Sequence, residues 1–116
     1  MYQNFAEVKL ALSSGKSVLD IVDAYLEKIE ANSDLNAFLE VFEASARESA
    51  LRVDEKIKAG TAGRLAGLVV GIKDNICYKA HRVSASSKIL EGFESLYTAT
   101  ALQRLLDQDA VVIGRL

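Results

Sequence analysis

The sequence contains few of the residues from which disulfides and metal sites are built. Cys77 is the only cysteine and His81 is the only histidine among the 116 residues. A single cysteine excludes an internal disulfide. Together the two side chains offer fewer ligands than a structural zinc site requires. We therefore expect neither a disulfide-rich secreted domain nor a zinc module, and no metal site.

Long apolar runs, a strong excess of charge and proline are absent as well. The longest uninterrupted apolar run, residues 110–113, is far too short to span a bilayer, so no membrane association is expected. The formal net charge is −2 without a basic patch, which argues against direct nucleic-acid binding by this chain. The first 12 residues carry Glu7 and Lys9 and lack a cleavage site. No secretory signal is therefore expected, and the expected location is cytoplasmic.

The residues that are present fit one globular domain of α/β class. Half of the chain is hydrophobic and 26% is charged, as is typical of folded soluble domains. Asn4 and Ser17 are each followed three residues later by an acidic residue, a pattern that marks helix N-termini. The first helix should end before Gly15 and the second near residue 31. We therefore predict a helical N-terminus over residues 1–32.

Strands and helices should alternate in the remaining residues. The predicted elements are a strand over 36–42, a helix over 43–59 closed by Gly60, a strand over 68–73, a helix from Thr98 and a strand over 110–114. Apolar strands separated by helices indicate helices packed on a mixed, largely parallel sheet. We assign residues 36–116 to the start of this α/β core. The chain ends soon after a core strand that lacks a covering helix, so we expect a truncated domain rather than a finished one.

Two motifs resemble catalytic or binding signatures without completing them. Residues 13–17, Ser-Ser-Gly-Lys-Ser, end like a phosphate-binding loop, but Leu10 occupies the position of the first required glycine. A helix stop followed by a helix start explains this segment. In residues 84–88, Ser-Ala-Ser-Ser-Lys, a Ser-x-x-Lys nucleophile would need serine in place of Ala85.

Five side chains of this chain carry chemistry in the segment after residue 75, and all are assigned structural roles. We expect Ser84, Ser86 and Ser87 to lie in a polar loop, with their hydroxyls bonded to the local backbone. Cys77 is expected to be a small buried apolar side chain. His81 is expected to be solvated.

Lys73 is the residue whose position most favours catalysis. It follows the apolar run 68–72, and active residues of open α/β sheets gather at the carboxyl ends of strands. A lysine is protonated at neutral pH, but burial beside apolar walls lowers the pKa of an amine and makes it a base. Asp74 should point to the opposite face of the strand. From the pattern alone, a buried catalytic lysine and a solvated lysine at a strand end both remain open.

Three segments resemble the start of an amidase-signature enzyme: "GRLAGLVVGIKDNI", "SASSKILEGF" and "TATALQRLLDQDAVVIGRL". Within that family the chain is most similar to the A subunits of aspartyl/glutamyl-tRNA(Asn/Gln) amidotransferases, over essentially all of its length. The resemblance implies that residues 1–116 are the N-terminal portion of a single amidase domain. One departure is Val70, which stands where many relatives have proline.

The resemblance also implies a Ser–cis-Ser–Lys triad with Lys73 as its lysine. That lysine would be a buried base that relays protons, through a bridging serine, to a nucleophilic serine. Both triad serines would lie beyond Leu116, and none of the serines of this chain matches them. The chain alone is therefore expected to be inactive.

For the intact protein, the resemblance implies glutamine hydrolysis that supplies ammonia to convert Glu-tRNA(Gln) to Gln-tRNA(Gln). The B and C subunits of the amidotransferase would be its partners, and the first of these would bind the charged tRNA together with ATP and Mg²⁺. No cofactor is expected in this chain. Two alternatives remain: a stand-alone hydrolase of small amides, and a non-catalytic interaction domain that docks through its helical N-terminus.

Overall fold

A computed structural model describes all 116 residues as four helices and a three-stranded sheet, with two short 3₁₀ turns. The helices are α1 (Phe5–Ser13), α2 (Val18–Ala31), α3 (Glu43–Ala59) and α4 (Thr100–Leu106). The strands are β1 (Glu40–Val41), β2 (Val69–Ile72) and β3 (Val111–Arg115). None of the helices combines the length and the apolar character needed to cross a bilayer.

The helix termini follow the predicted capping residues. The Asn4 side chain accepts a hydrogen bond from the Glu7 N–H at 3.0 Å and caps α1. At the start of α2, the Ser17 hydroxyl accepts from the Asp20 N–H at 3.0 Å, and the Asp20 carboxylate accepts from the Ser17 N–H at 2.8 Å. These bonds satisfy N–H groups that have no partner within a helix, and they define where α1 and α2 begin.

Helix α3 has the predicted bounds and ends at Gly60, whose φ of +72° is left-handed. Of its predicted inner face, Ala46, Ala50 and Val53 are buried, whereas Ile57 is 41% exposed. The last turn of α3 therefore lies outside the core that its earlier turns share with α2 and β3.

The strand predicted over residues 36–42 is wrong in extent, because only Glu40–Val41 form β1. A 3₁₀ turn over residues 33–35 precedes it, and Asn36 is left-handed with φ of +50°. The chain therefore first bonds to β3 at Leu39, whose N–H donates to the Arg115 carbonyl at 2.9 Å. Turn geometry, rather than side-chain alternation, decides where this segment becomes extended.

Helix α4 begins at Thr100, two residues later than the start predicted at Thr98. The Thr98 hydroxyl instead accepts a hydrogen bond from the Lys79 N–H at 3.1 Å. Thr98 is thus engaged in joining two parts of the irregular segment between β2 and α4, and it is not the N-cap of the helix.

Strand β3 is the centre of the sheet, in the order β1-β3-β2. It pairs antiparallel with β1 and parallel with β2, so the predicted mixed α/β class is confirmed. The parallel connection from β2 to β3 passes through α4, as two parallel neighbours require. The carboxyl ends of β2 and β3 consequently lie side by side.

Apolar side chains fill both faces of this sheet. Val111 and Ile113 face a cluster formed with α2 and α3, while Val112 faces a second cluster that contains Leu102 of α4. Phe38 joins the first cluster and Phe42 the second, so these two residues do not share a face as the alternation predicts. The result is three layers, with α2 and α3 on one side of the sheet and α4 on the other.

The Phe38 ring covers a pair of glycines on neighbouring strands. Gly114 of β3 is paired with Gly71 of β2. A Cβ atom at Gly114 would lie 2.6 Å from the Glu40 carbonyl oxygen and 2.8 Å from Cδ1 of Phe38. At Gly71 the nearest atom would be Cδ1 of Leu116, at 3.3 Å, with the Phe38 ring at 3.7 Å. Only the glycine of the central strand is therefore required by close packing.

We predict that Gly114→Ala lowers the free energy of unfolding by about 1–3 kcal/mol, because the added methyl must displace backbone of β1. Urea unfolding of the dilute chain measures the change. Gly71→Ala is the matched control, since its methyl meets the end of a flexible side chain. Equal stability of the two variants would contradict this packing argument.

Exposed apolar side chains and open sheet edges lead to a second prediction. Strands β1 and β2 are the outer strands, and Ile89 and Leu96 are 94% and 80% exposed. We expect the isolated chain to be marginally stable or to self-associate, because such edges and patches favour association. Sedimentation velocity over a range of concentrations tests this. A monomer that unfolds cooperatively with ordinary stability would contradict it.

Candidate functional site

Lys73 immediately follows β2, and its side chain is exposed. Its carbonyl accepts a hydrogen bond from the Ile76 N–H at 2.9 Å, which closes a turn. The amine forms no hydrogen bond or ion pair with any residue of the chain. The burial expected for this lysine is thus absent here, because Lys73 lies just past Ile72, the last residue of β2.

Asp74 has the opposite environment and is only 2% exposed. Its carboxylate accepts hydrogen bonds from the Ser84 N–H at 3.0 Å, from the Ser84 hydroxyl and from Nη1 of Arg115. Its own N–H donates to the Leu116 carbonyl, and its carbonyl accepts from the Ala85 N–H, both at 2.9 Å. Asp74 therefore points away from Lys73, as strand alternation predicts, and all its polar groups are bonded.

The cluster of Asp74, Ser84 and Arg115 keeps the buried carboxylate ionised. Burial alone would raise the pKa of Asp74, but the hydrogen bonds from Ser84 and Arg115, with the charge of Arg115, lower it to about 2. Arg115 also donates from Nε to Glu40 at 3.0 Å. Because these residues belong to β1, β3 and the segment after β2, the cluster joins all three strands beside Lys73.

Residues 84–87 form a strained turn on this cluster. The Ser87 N–H donates to the Ser84 carbonyl at 2.8 Å, and both central residues, Ala85 and Ser86, are left-handed with φ of +48° and +58°. Such values are uncommon for residues other than glycine and are maintained only where the surroundings fix them. Here the fixing contacts are those of Asp74 with Ser84 and Ala85. The Ser84 hydroxyl is therefore bonded to a side chain, not to local backbone as expected.

The environments expected for Cys77 and His81 are wrong. His81 is half-buried and stacks on Tyr78, with ring centroids 3.8 Å apart. Its Nδ1 lies 2.9 Å from the Lys79 carbonyl, and its Nε2 lies 2.9 Å from the Ser45 hydroxyl. Since a carbonyl only accepts, Nδ1 carries a proton. Cys77 is half-buried instead of fully buried. His81 thus connects the irregular segment to α3 and does not approach Lys73 through any hydrogen bond.

The Gly-Lys-Ser segment does not form a phosphate loop. Gly15, with φ of +98°, lies between α1 and α2, where a phosphate loop would follow a strand. The Ser17 hydroxyl is engaged with the Asp20 N–H. No group of three or more histidine, cysteine, aspartate or glutamate side chains is arranged to hold a metal ion.

The sequence contains one signal for the buried cluster. Alternation places Asp74 on the inner face of an apolar strand, and an ionised carboxylate in that position needs a cationic or hydrogen-bonding partner. Arg115 occupies the end of the other apolar strand. Its pairing with Asp74 depends on β2 and β3 being neighbours, which no local pattern specifies.

We predict that Asp74 makes the stability of the chain depend on acidity. Its pKa of about 2 lies below the ordinary value of 3.8, so its contribution is present above about pH 4 and is lost as the pH falls towards 2. Urea unfolding between pH 7 and pH 2.5 should show a steeper loss for the unmodified chain than for Asp74→Asn. Exposed Asp34 provides the control substitution. Parallel curves for the unmodified chain and Asp74→Asn would contradict the prediction.

Comparison with known proteins yields relatives of one family. The A subunit of glutamyl-tRNA(Gln) amidotransferase from Chlorobium phaeobacteroides (strain DSM 266) is 38% identical over 116 residues, which are 98% of this chain and 24% of the relative. The protein of the same name from Brachyspira hyodysenteriae is 42% identical over 99 residues, or 82% of this chain and 20% of the relative. The chain thus spans about a quarter or less of the length of these relatives.

Solved structures show the same fold. The peptide amidase of Stenotrophomonas maltophilia matches with a TM-score of 0.88 and 29% identity, over 97% of this chain and 24% of that protein. An amidase family protein of Bacillus anthracis matches with a TM-score of 0.86 and 24% identity, over 95% of this chain and 23% of that protein. The family model for amidases matches residues 20–116. The chain belongs to the amidase family.

Proposed function

We propose that this chain supplies the lysine of a Ser–cis-Ser–Lys triad to an amidase. The observation that carries the proposal is the position of Lys73 at the carboxyl end of β2, with an amine that has no partner in the chain. Its neighbour Asp74 is anchored on the opposite face. A reactive group next to a rigidly bonded residue is the arrangement that preorganised catalysis needs.

The proposed chemistry is acyl transfer through a serine ester. A neutral lysine amine accepts a proton from a bridging serine, which in turn accepts the proton of the nucleophilic serine. The nucleophilic oxygen attacks the amide carbon, the C–N bond breaks, and the returned proton leaves with ammonia. Water then hydrolyses the acyl-enzyme to the carboxylic acid. Donors of an oxyanion hole would stabilise the tetrahedral intermediates.

The two serines of this triad are assigned to the part of the amidase domain that this chain does not span. Ser84 is unsuitable because its hydroxyl is bonded to the buried carboxylate of Asp74. We also expect the rest of the domain to cover Lys73. Burial favours the neutral amine, which is the form that can accept a proton.

We infer that the amide is glutamine and that the intact protein is the A subunit of a tRNA-dependent amidotransferase. The similarity to the A subunits of glutamyl-tRNA(Gln) amidotransferases supports this assignment. In this proposal ammonia passes in the cytoplasm to the B subunit, which converts Glu-tRNA(Gln) to Gln-tRNA(Gln), and the complex is completed by the C subunit. ATP, Mg²⁺ and charged tRNA are assigned to the B subunit, because the Gly-Lys-Ser segment here offers no phosphate cradle.

A stand-alone hydrolase of small amides is the second candidate. The similarity to the Stenotrophomonas peptide amidase favours it. Glutaminase activity that depends on added partner subunits would identify the amidotransferase, whereas full activity without them would identify the stand-alone enzyme.

A non-catalytic interaction domain is the third candidate, and the exposure of Lys73 favours it. The intact mass of the native polypeptide separates this candidate from the other two. A mass several times that of this chain would support an enzyme with the missing serines, and a mass equal to that of this chain would support the interaction domain.

For the intact protein, we predict that Lys73→Ala abolishes amide hydrolysis and leaves the fold unchanged. Lys73→Arg should be equally inactive, because a guanidinium does not lose its proton in proteins. Ammonia release from glutamine measures the activity, and circular dichroism checks the fold. Lys79→Ala, at another exposed lysine of the same segment, is the matched control and should remain active. Turnover by Lys73→Ala at a rate comparable to that of the unmodified enzyme would overturn the triad assignment.

A further inference from the structure

We infer that Asp74 is a positioning residue that fixes where Lys73 stands and which way it points. The inference rests on the proposed function and adds a second residue to it. The Asp74 carboxylate does not contact the Lys73 amine, so its effect would be exerted through the backbone that the two residues share.

The backbone on both sides of Lys73 is held by a single residue of the neighbouring chain segment. The Leu116 N–H donates to the Ile72 carbonyl at 2.7 Å, and the Asp74 N–H donates to the Leu116 carbonyl at 2.9 Å. These bonds continue the parallel ladder between β2 and β3 past the last residue of β2. Lys73 is thereby enclosed in an extended segment where neighbouring side chains must point to opposite sides.

The carboxylate determines which side each of the two residues takes. Asp74 is buried because Ser84 donates two hydrogen bonds to it and Arg115 donates a third. An ionised group with these partners has no comparable site on the solvent side. With Asp74 fixed inward, Lys73 is directed outward, towards the space where the substrate of the proposed amidase would lie.

The same carboxylate also maintains the turn over residues 84–87. Two left-handed residues without glycine carry conformational strain, of about 1 kcal/mol or more each. The bonds of Asp74 to Ser84 and to the Ala85 N–H oppose relaxation of this turn. Loss of the carboxylate would therefore release both the turn and the strand end next to Lys73.

Asp109 provides a matched control for a purely structural role. It is also a buried aspartate, 6% exposed, whose carboxylate accepts from Nζ of Lys56 and from the Gly63 N–H, each at 2.7 Å. The pKa values of both aspartates are lowered by their hydrogen bonds and cationic partners, in spite of burial, which opposes the shift. Asp109 fastens the glycine-rich loop to α3 and has no bond to the end of β2.

The test compares Asp74→Asn and Asp109→Asn in the enzyme expressed from its complete coding sequence. We expect both variants to lose stability, because an amide cannot accept from all the donors that surround each carboxylate. With rates corrected for the folded fraction, Asp74→Asn should lower kcat for glutamine hydrolysis by about 10-fold or more, with KM nearly unchanged, since a misplaced base affects only the reacting step. Asp109→Asn should retain the kcat of the unmodified enzyme.

Ser84→Ala is the milder variant, because it removes one donor and keeps the charge pair with Arg115. It should lower kcat in the same direction by a smaller factor and keeps the test available if Asp74→Asn fails to fold. A kcat per folded molecule that is unchanged in the foldable variants, or lowered equally in Asp109→Asn, would overturn the positioning role. Lys73→Ala is measured in parallel. If it retains turnover, the proposed function fails, and that result is separate from the outcome for Asp74.

Discussion

The ion pair between Asp74 and Arg115 is the interaction on which this arrangement depends. It lies where the carboxyl ends of two parallel strands meet, and it includes Glu40 of β1 through the second contact of Arg115. A buried carboxylate without such partners would be strongly unfavourable, whereas a fully bonded one specifies a single geometry. Breaking such a pair from one side leaves an uncompensated charge. The pair therefore determines the register of the strand ends more than it adds to overall stability.

Two adjacent residues divide the tasks at this corner of the sheet. Lys73 remains exposed and without partners, while Asp74 is nearly inaccessible and bonded through every polar group. Extended backbone allows this separation, because consecutive side chains leave a strand in opposite directions. A reactive amine can thus stand next to a carboxylate without being neutralised by it. The position of the amine is still determined by the bonds of its neighbour.

Local patterns in the sequence predicted what depends on neighbouring residues. The capping residues Asn4 and Ser17 identified where α1 and α2 begin, and Gly60 identified where α3 ends. The strand predicted before α3 was too long, because the left-handed Asn36 sets the chain direction and propensity does not report it. The contact of His81 with Ser45 spans 36 residues and could not be read from spacing. Lys73 stood out from its place after an apolar strand, and its assignment to a triad depends on resemblance.

The turn over residues 84–87 has a consequence for which substitutions this exposed segment accepts. Ala85 and Ser86 are both exposed, so a surface view would treat them as freely variable. Their left-handed backbone excludes β-branched side chains, which crowd the neighbouring carbonyl in that conformation. Glycine and asparagine fit without this conflict. Sequence variation at these two positions should thus follow backbone geometry, with small and amide residues accepted and valine or isoleucine rejected despite full access to water.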